Sequence, residues 1–470
     1  MIKNLISEKI LQKLGHKPTS SQEKLISGLS EFVGKPDKRS LFIIKGYAGT
    51  GKTSAISALV KTLDEFAVKS ILLAPTGKAA KVLSHYSGKP AFTIHKKIYR
   101  QRSSKDGFGK FELDKNLHTN TIFFVDEASM ISNLTPENSI FGSGRLLDDL
   151  IEYVFNDKDC KLIISGDTAQ LPPVGSGMSP ALDRDWYAGK SIHIEECEMT
   201  DVVRQQQKSG ILENATYLRE LIRKGTTASP IFNISGYSDI FRISGGELIE
   251  KLENSYHEAG LEETIVVNRS NKRSNAYNSG IRSRILFKDD EIVPGDILMV
   301  VKNNYHWLDE SEQISYIANG DMLEIVRIKK YEENYGFRFA DLTIRLLDYE
   351  IEADVKVMLD TLKVESASLT SEQNKALFYS IYEDFADIKP KRKGYNLVRE
   401  HTYFNALQVK FAYAVTCHKA QGGQWKHVYI DQGYIGDDMI TSEYLRWLYT
   451  AFTRATQKVF LVNFPYKYFH

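Results

Sequence analysis

Cysteine is nearly missing from this chain. Cys160, Cys197 and Cys417 are far apart, odd in number and form no CxxC pair. That argues against a disulfide framework or a structural zinc site and fits a reducing interior. Charge of one sign is missing as well, since 61 Lys and Arg face 60 Asp and Glu. No whole-molecule field then draws in a polyanion, and any nucleic-acid contact must come from local patches and aimed backbone amides. No apolar run is long enough to cross a bilayer, and the opening MIKNLISEKILQKLGHK lacks the apolar core of a signal peptide. The expectation is a cytoplasmic chain without a membrane partner. Solenoid-period repeats and low-complexity tracts are also absent.

What remains is an ordinary globular composition, 42% hydrophobic and 26% charged, at a length suited to two to four domains. LFIIK (41–45), SILLA (70–74), TIFFV (121–125) and KLIIS (161–165) each read as a buried strand followed by a loop and an amphipathic segment. That rhythm predicts a parallel sheet with helices on both faces. It returns late, with ETIVVN (263–268), a helical stretch to about Ile285, HVYID (427–431), a helix around Tyr444 to Arg454, and KVFLV (458–462). Between them, PGDILMVVKNN, NGDMLEIVRI and FRFADLTIRLL read as short alternating strands broken by Gly and Asn turns, a small antiparallel barrel. A helical SEQNKALFYSIYEDF and the basic KPKRKG (389–394) follow, the latter read as a phosphate contact or a solvated loop.

Gly46-Tyr47-Ala48-Gly49-Thr50-Gly51-Lys52-Thr53 matches GxxxxGK[ST] and lies between a strand and a helix-forming run, with the next residue, Ser54, also expected at the nucleotide. Glycines let backbone N–H groups turn inward around phosphate oxygens, and the helix start adds its positive dipole end. Lys52 would reach the β- and γ-phosphates of ATP and Thr53 would ligate Mg²⁺. TIFFV runs straight into Asp126 and Glu127. Asp126 is placed to hold the metal shell and Glu127 to polarise the attacking water. An N-cap acid pair would explain one carboxylate but not the pairing with a P-loop. Gln22, shortly before the first strand, has the amide to read adenine, although a glutamine in an N-terminal helix is otherwise plain surface.

Further motifs stand in a fixed order. APTGKAA (74–80) and TIHK (93–96) are followed by GDTAQLPPVG (166–175) and TDVVRQ (200–205), then by VTCHKAQGGQW (415–425) and YTAFTRA (449–455). Taken together they resemble the superfamily 1 helicases, in the 5′-to-3′ branch that contains RecD and Dda. The resemblance covers about Thr19 to Asn278 and Phe411 to Val462. Gln170 would feel the γ-phosphate. Arg204 and Arg454 are candidate arginine fingers, whose planar guanidinium neutralises charge on a transferring phosphoryl group. A surface ion pair is the plain alternative for either arginine.

The resemblance implies two RecA-like domains, an α/β fold, with a β-hairpin pin inserted in the first and an SH3-like barrel in the second. The expected boundaries are 1–98 and 119–226 for motor domain 1, 99–118 for the pin, 227–295 and 411–470 for motor domain 2, and 296–410 for the barrel. In VTCHKAQGGQW, Thr416 and His418 would touch polynucleotide, while Gly422, Gly423 and Gln424 lie toward the nucleotide and Cys417 is buried filler. Relatives commonly carry an acid where Gln424 stands. Pro75, Thr76, Lys78, Thr93 and His95 are expected at DNA phosphates. Phe92, Tyr305 and Trp307 are candidate base-stacking rings. Phe108 or Phe111 is expected at the tip of a strand-separating pin, where Asp106-Gly107 marks a turn.

The resulting expectation is an ATP- and Mg²⁺-dependent DNA helicase that moves along single-stranded DNA as a monomer. Its partners would be single-stranded DNA, junctions of single- and double-stranded DNA, and a single-stranded DNA-binding protein or replisome component. It would work at the nucleoid of a bacterial or phage-infected cell. A P-loop ATPase without unwinding, acting as a DNA-bound switch or a small-molecule kinase, is one competing reading. An RNA-directed or non-catalytic binder is another.

Overall fold

LFIIK, SILLA, TIFFV and KLIIS all enter one sheet in the computed structural model, which describes residues 2–36, 39–101, 111–135, 141–155, 159–201, 209–308 and 316–470. In chain order the first half contributes β1 (Ser40–Gly46), β2 (Lys69–Ala74), β3 (Ala91–Thr93), the short pair β4 (Tyr99–Gln101) and β5 (Phe111–Leu113), β6 (Thr121–Val125), β7 (Lys161–Gly166) and β8 (His193–Met199). Six of them form a sheet in the order β3-β2-β6-β7-β1-β8, with every pairing parallel. Successive side chains on a strand face opposite sides. Leu41, Ile43, Phe123 and Val125 therefore enter one hydrophobic core, while Phe42, Ile44, Ile122 and Phe124 enter the other. Helices cover both faces, which is why these strands read as unbroken apolar runs.

The edge strand β8 is different. Its HIEECEM is polar, and it is fastened to β1 by Lys45 Nζ donating to Glu196 at 3.1 Å and Tyr47 OH donating to Glu198 at 3.1 Å.

The second half adds β9 (Ile240–Ile243), β10 (Thr264–Asn268), β11 (Ile297–Val300), β12 (Met322–Asn334), β13 (Phe337–Leu346), β14 (Ile351–Met358), β15 (Leu407–Phe411), β16 (Ala414–Thr416), β17 (Trp425–Asp431) and β18 (Ala455–Val462). A second parallel sheet runs β16-β10-β17-β18-β9, and β11 to β15 close into a barrel. The barrel pairings are antiparallel except for β14 with β15. The root of the barrel is pinned to the second sheet by Asp296, which is fully buried. Arg282 donates to both of its oxygens, at 3.2 and 3.0 Å, while Lys288 and the Tyr413 hydroxyl share Oδ1. A buried carboxylate satisfied this completely fixes where the insertion leaves its host.

Two expectations need correction. KPKRKG is not a loop: Pro390 caps the helix Lys391–Glu400, and Lys391, Arg392 and Lys393 form its exposed first turn. Phe111 is not at a hairpin tip. It lies in β5, paired with Gln101, and its ring sits 5.0 Å from Phe141 and 4.2 Å from Tyr305 of the barrel insertion. An apolar ring at the base of a hairpin is held by neighbours that exclude water. Phe108 lies outside the described residues.

A candidate nucleotide cleft and polynucleotide face

The P-loop is shaped by its glycines. Gly51, at φ 80°, takes a left-handed conformation that a side chain would strain, and it caps the helix Lys52–Glu65. Lys52 Nζ donates to the carbonyls of Gly46 and Tyr47 at 2.7 and 2.9 Å, so the ammonium stays at the mouth of the loop. Thr53 Oγ1 donates to Asp126 Oδ2 at 3.2 Å. That contact joins the first helical turn after the loop to the end of β6, the pairing expected from sequence.

Thr53 and Asp126 supply hard oxygen donors, and among the described residues no group of three or more His, Cys, Asp or Glu could hold a metal. This suits Mg²⁺, which favours one or two protein oxygens together with phosphates and water.

Glu127 follows at a strained φ of 54°. Its side chain is half-buried. Burial pushes its carboxyl upward against the opposing pull of Arg454, with Asp126 adding to the rise. A carboxyl raised in this way suits the acceptance of a proton. Arg454 comes from the second sheet's side and is buried, with its guanidinium donating to Thr450 O, Gly423 O and Thr453 Oγ1 at 3.0 to 3.2 Å. Arg454 is thus held by hydrogen bonds within its own half. Arg204 lies outside the described residues.

Gln22 is buried, not surface. Its Oε1 accepts from Thr19 N–H and its Nε2 donates to Thr50 O at 3.2 Å. The side chain that was expected to read adenine therefore also closes a capping box and braces the P-loop. Ala48 and Gly49 stand on the same loop, and Ser54 follows in the helix. Gln170 is buried after β7, and its side-chain oxygen has no partner among the described residues.

Residues that sequence reasoning passed over fill the rest of the cleft. Tyr449 OH donates to Asp167 Oδ2 at 2.6 Å and accepts from Ala48 N–H at 2.8 Å. Thr450 Oγ1 accepts from Leu171 N–H at 2.8 Å, Gln421 Nε2 donates to Leu171 O at 2.6 Å, and Arg446 donates to Thr168 O. All stand inside the quoted motifs or one helical turn away, and 446, 449 and 450 share a face of the helix Ser442–Phe452.

The opposite face is occupied differently. Thr76 caps the helix Gly77–Ser87 by accepting from Ala79 N–H at 3.2 Å, with Pro75 just before it. Lys78 Nζ lies 3.9 Å from the Trp425 ring, and burial lowers its pKa. The Thr93 hydroxyl is buried and lies 2.7 Å from the Tyr316 hydroxyl of the barrel insertion. His95 packs at 4.7 Å from Phe141, and burial lowers its pKa to about 4, so it is neutral near pH 7. The Thr93 hydroxyl thus bonds to the barrel insertion and the His95 imidazole joins an aromatic cluster, placements that leave their expected phosphate contacts as proposals.

Thr416 precedes the short helix Cys417–Ala420, and His418 is exposed on it. Cys417 is buried, with its thiol pushed up to about 12 by burial, which excludes a nucleophile. Gly422, at φ 75°, abuts Thr76 Oγ1 and Ala79 of the first half, not the P-loop, and Gly423 N–H donates to Ala420 O. Gly422 serves a tight contact between the halves, and the Gly423 amide, expected at ATP, is bonded within its own half. Gln424 is exposed. No helix of the described residues is long and apolar enough to cross a membrane.

Known proteins resemble this chain in sequence. Residues 31–231 match the family model described as an AAA domain, and residues 411–462 match the UvrD-like helicase C-terminal domain. The chain is 24% identical over 517 residues to the uncharacterized protein R530 of Acanthamoeba polyphaga mimivirus, covering 94% of this chain and 98% of that one. It is 25% identical over 328 residues to the ATP-dependent DNA helicase dda of Enterobacteria phage T4, covering 66% and 70%. A Pif1 helicase structure from work on unwinding at forked double-stranded DNA is similar at 14% identity, with a TM-score of 0.49 over 97% and 94% of the two chains.

Proposed function

The chain belongs to the superfamily 1 helicases of the RecD and Dda-like branch, and from that premise we propose that it is an ATP-dependent DNA helicase. It moves 5′-to-3′ on single-stranded DNA and separates duplex strands ahead of it. The observation that carries this reading is the joining of the two halves at the P-loop, where Tyr449 of the second bonds to Ala48 and Asp167 of the first, together with the Thr53–Asp126 contact.

In this reading the triphosphate lies between the two halves. Lys52 and the P-loop amides hold its phosphates, and Thr53 and Asp126 hold Mg²⁺, which neutralises phosphate charge when bound. Glu127, with its raised proton affinity, orients and deprotonates the attacking water. Arg454 and Arg204 compensate charge that develops in the transition state, and Gln170 contacts the terminal phosphate. Closure of the halves follows nucleotide binding and reopening follows hydrolysis, so the grip on the strand alternates. The second parallel domain and its hydrogen bonds to the P-loop and to the loop after β7 favour this over a small-molecule kinase, which needs neither.

Thr76, Lys78, Thr416 and His418 form the polynucleotide side, and Phe108 the separating edge. Single-stranded DNA and its junctions with duplex are the substrates, a single-stranded DNA-binding protein or replisome component is the partner, and the working form is a monomer.

The test is unwinding of DNA and RNA duplexes that carry a 5′ or a 3′ single-stranded overhang, with Lys52→Ala as the control. The expected result is ATP-dependent unwinding from the 5′ overhang on DNA, lost in Lys52→Ala while single-stranded DNA binding persists. Unwinding only from the 3′ overhang or only on RNA would contradict the assignment, as would Lys52→Ala that still hydrolyses ATP.

A further inference from the structure

The loop that follows β7 is held almost entirely by the other half of the molecule. Asp167 accepts from Tyr449, Thr168 O from Arg446, and the Leu171 peptide is gripped at both ends by Thr450 and Gln421. Three of these four residues lie on or beside one face of the helix Ser442–Phe452. Gln170 sits inside the gripped segment, its N–H on Asp167 O at 3.3 Å and its buried side-chain oxygen unpartnered. The same phenol that holds Asp167 also accepts the N–H of Ala48 in the P-loop.

We propose that Tyr449 is a positioning residue: its one hydroxyl ties the P-loop and the Asp167–Leu171 loop to the second domain, so that Gln170 and Arg454 are aligned only when the cleft is closed. This rests on the nucleotide-cleft reading above and adds a residue that carries closure from one half to the other. Burial and the charge of Asp167 keep the phenol protonated, so it is always able to donate. A hydroxyl that accepts one bond and donates another sets both partners in a single geometry, and a buried O–H to carboxylate bond is among the stronger ones. Arg454 is five residues beyond Tyr449, and its own guanidinium bonds to Thr450 O, so a shift of this helical turn moves the finger with it.

Tyr449→Phe keeps the ring and removes both bonds. Asp167→Asn keeps the cap on Ala169 and turns the atom facing Tyr449 from an acceptor into a donor. With single-stranded DNA present, Tyr449→Phe is expected to lower kcat for ATP about tenfold and leave KM within about twofold. Asp167→Asn, which disturbs one of the two bonds, should lower kcat by up to the same factor, and the double variant should lose no more than Tyr449→Phe, which has already removed that contact. Wild-type kcat in Tyr449→Phe overturns the proposal. So does a raised KM with unchanged kcat, or a double variant about a hundredfold down, the product of two independent losses. If the wild-type chain itself shows no DNA-stimulated turnover, the helicase reading fails instead.

Discussion

The nucleotide cleft and the polynucleotide face sit on the same two domains but keep their residues differently. In the cleft Thr53 meets Asp126, as expected, and Gln170 is held between gripped neighbours. On the other face Thr93 is bonded to Tyr316, His95 is packed among rings, and Lys78 lies over Trp425. Phosphoryl transfer needs particular groups at particular distances, so few arrangements serve. Gripping a sugar–phosphate strand without reading its bases can be done by many donors, and residues there are free to serve packing instead.

Removing the cleft's transferred charge should have the largest effect. Arg454→Ala is expected to lower DNA-stimulated ATP turnover by about a thousandfold or more. Arg454→Lys should recover little, because a point charge does not replace a planar fork. Nucleotide binding measured with a fluorescent ATP analogue should persist. If turnover fell only a few-fold, the cleft would be no more exacting than the opposite face.

On that face, Thr93→Val and Tyr316→Phe each remove one side of a hydroxyl pair worth about 1 kcal/mol. Both should change single-stranded DNA affinity by about the same fivefold factor, read by fluorescence anisotropy. An effect confined to Thr93→Val would return that hydroxyl to the polynucleotide and blur the contrast.

The smallest effect concerns the barrel. Asp321 is buried, and desolvation raises its pKa to about 7. The folded chain therefore binds this proton more tightly than the unfolded one between about pH 4 and 7. Stability contributed by the protonated carboxyl is present at the acid end and is lost as pH rises through about 7, with a slope of at most about 1.4 kcal/mol per unit. Asp321→Asn should flatten that segment of a thermal-melting profile against pH, and an unchanged profile would remove Asp321 as its source.

Much of the frame was legible because buried parallel strands leave unbroken apolar runs, as LFIIK and TIFFV do. β8 escaped notice because an edge strand fastened through Glu196 and Glu198 need not look apolar. β3 and β16 are three residues each, too short for any period to show. The cleft was legible in its charged and phosphate-binding residues, whose types announce chemistry. Tyr449 was not, because a tyrosine in an amphipathic helix reads as core until its hydroxyl is seen to reach Ala48 and Asp167. For Thr93 and His95 the converse holds: their types suit phosphate, and only the fold shows their protein neighbours, Tyr316 and Phe141.

The account turns on an ATP clasped between two domains that also hold the strand. Its most direct test is the steady-state rate of phosphate release with and without single-stranded DNA. The expected result is at least about a tenfold rise on adding DNA, absent in Lys52→Ala. An equal rate with and without DNA would contradict the coupling on which the reading depends.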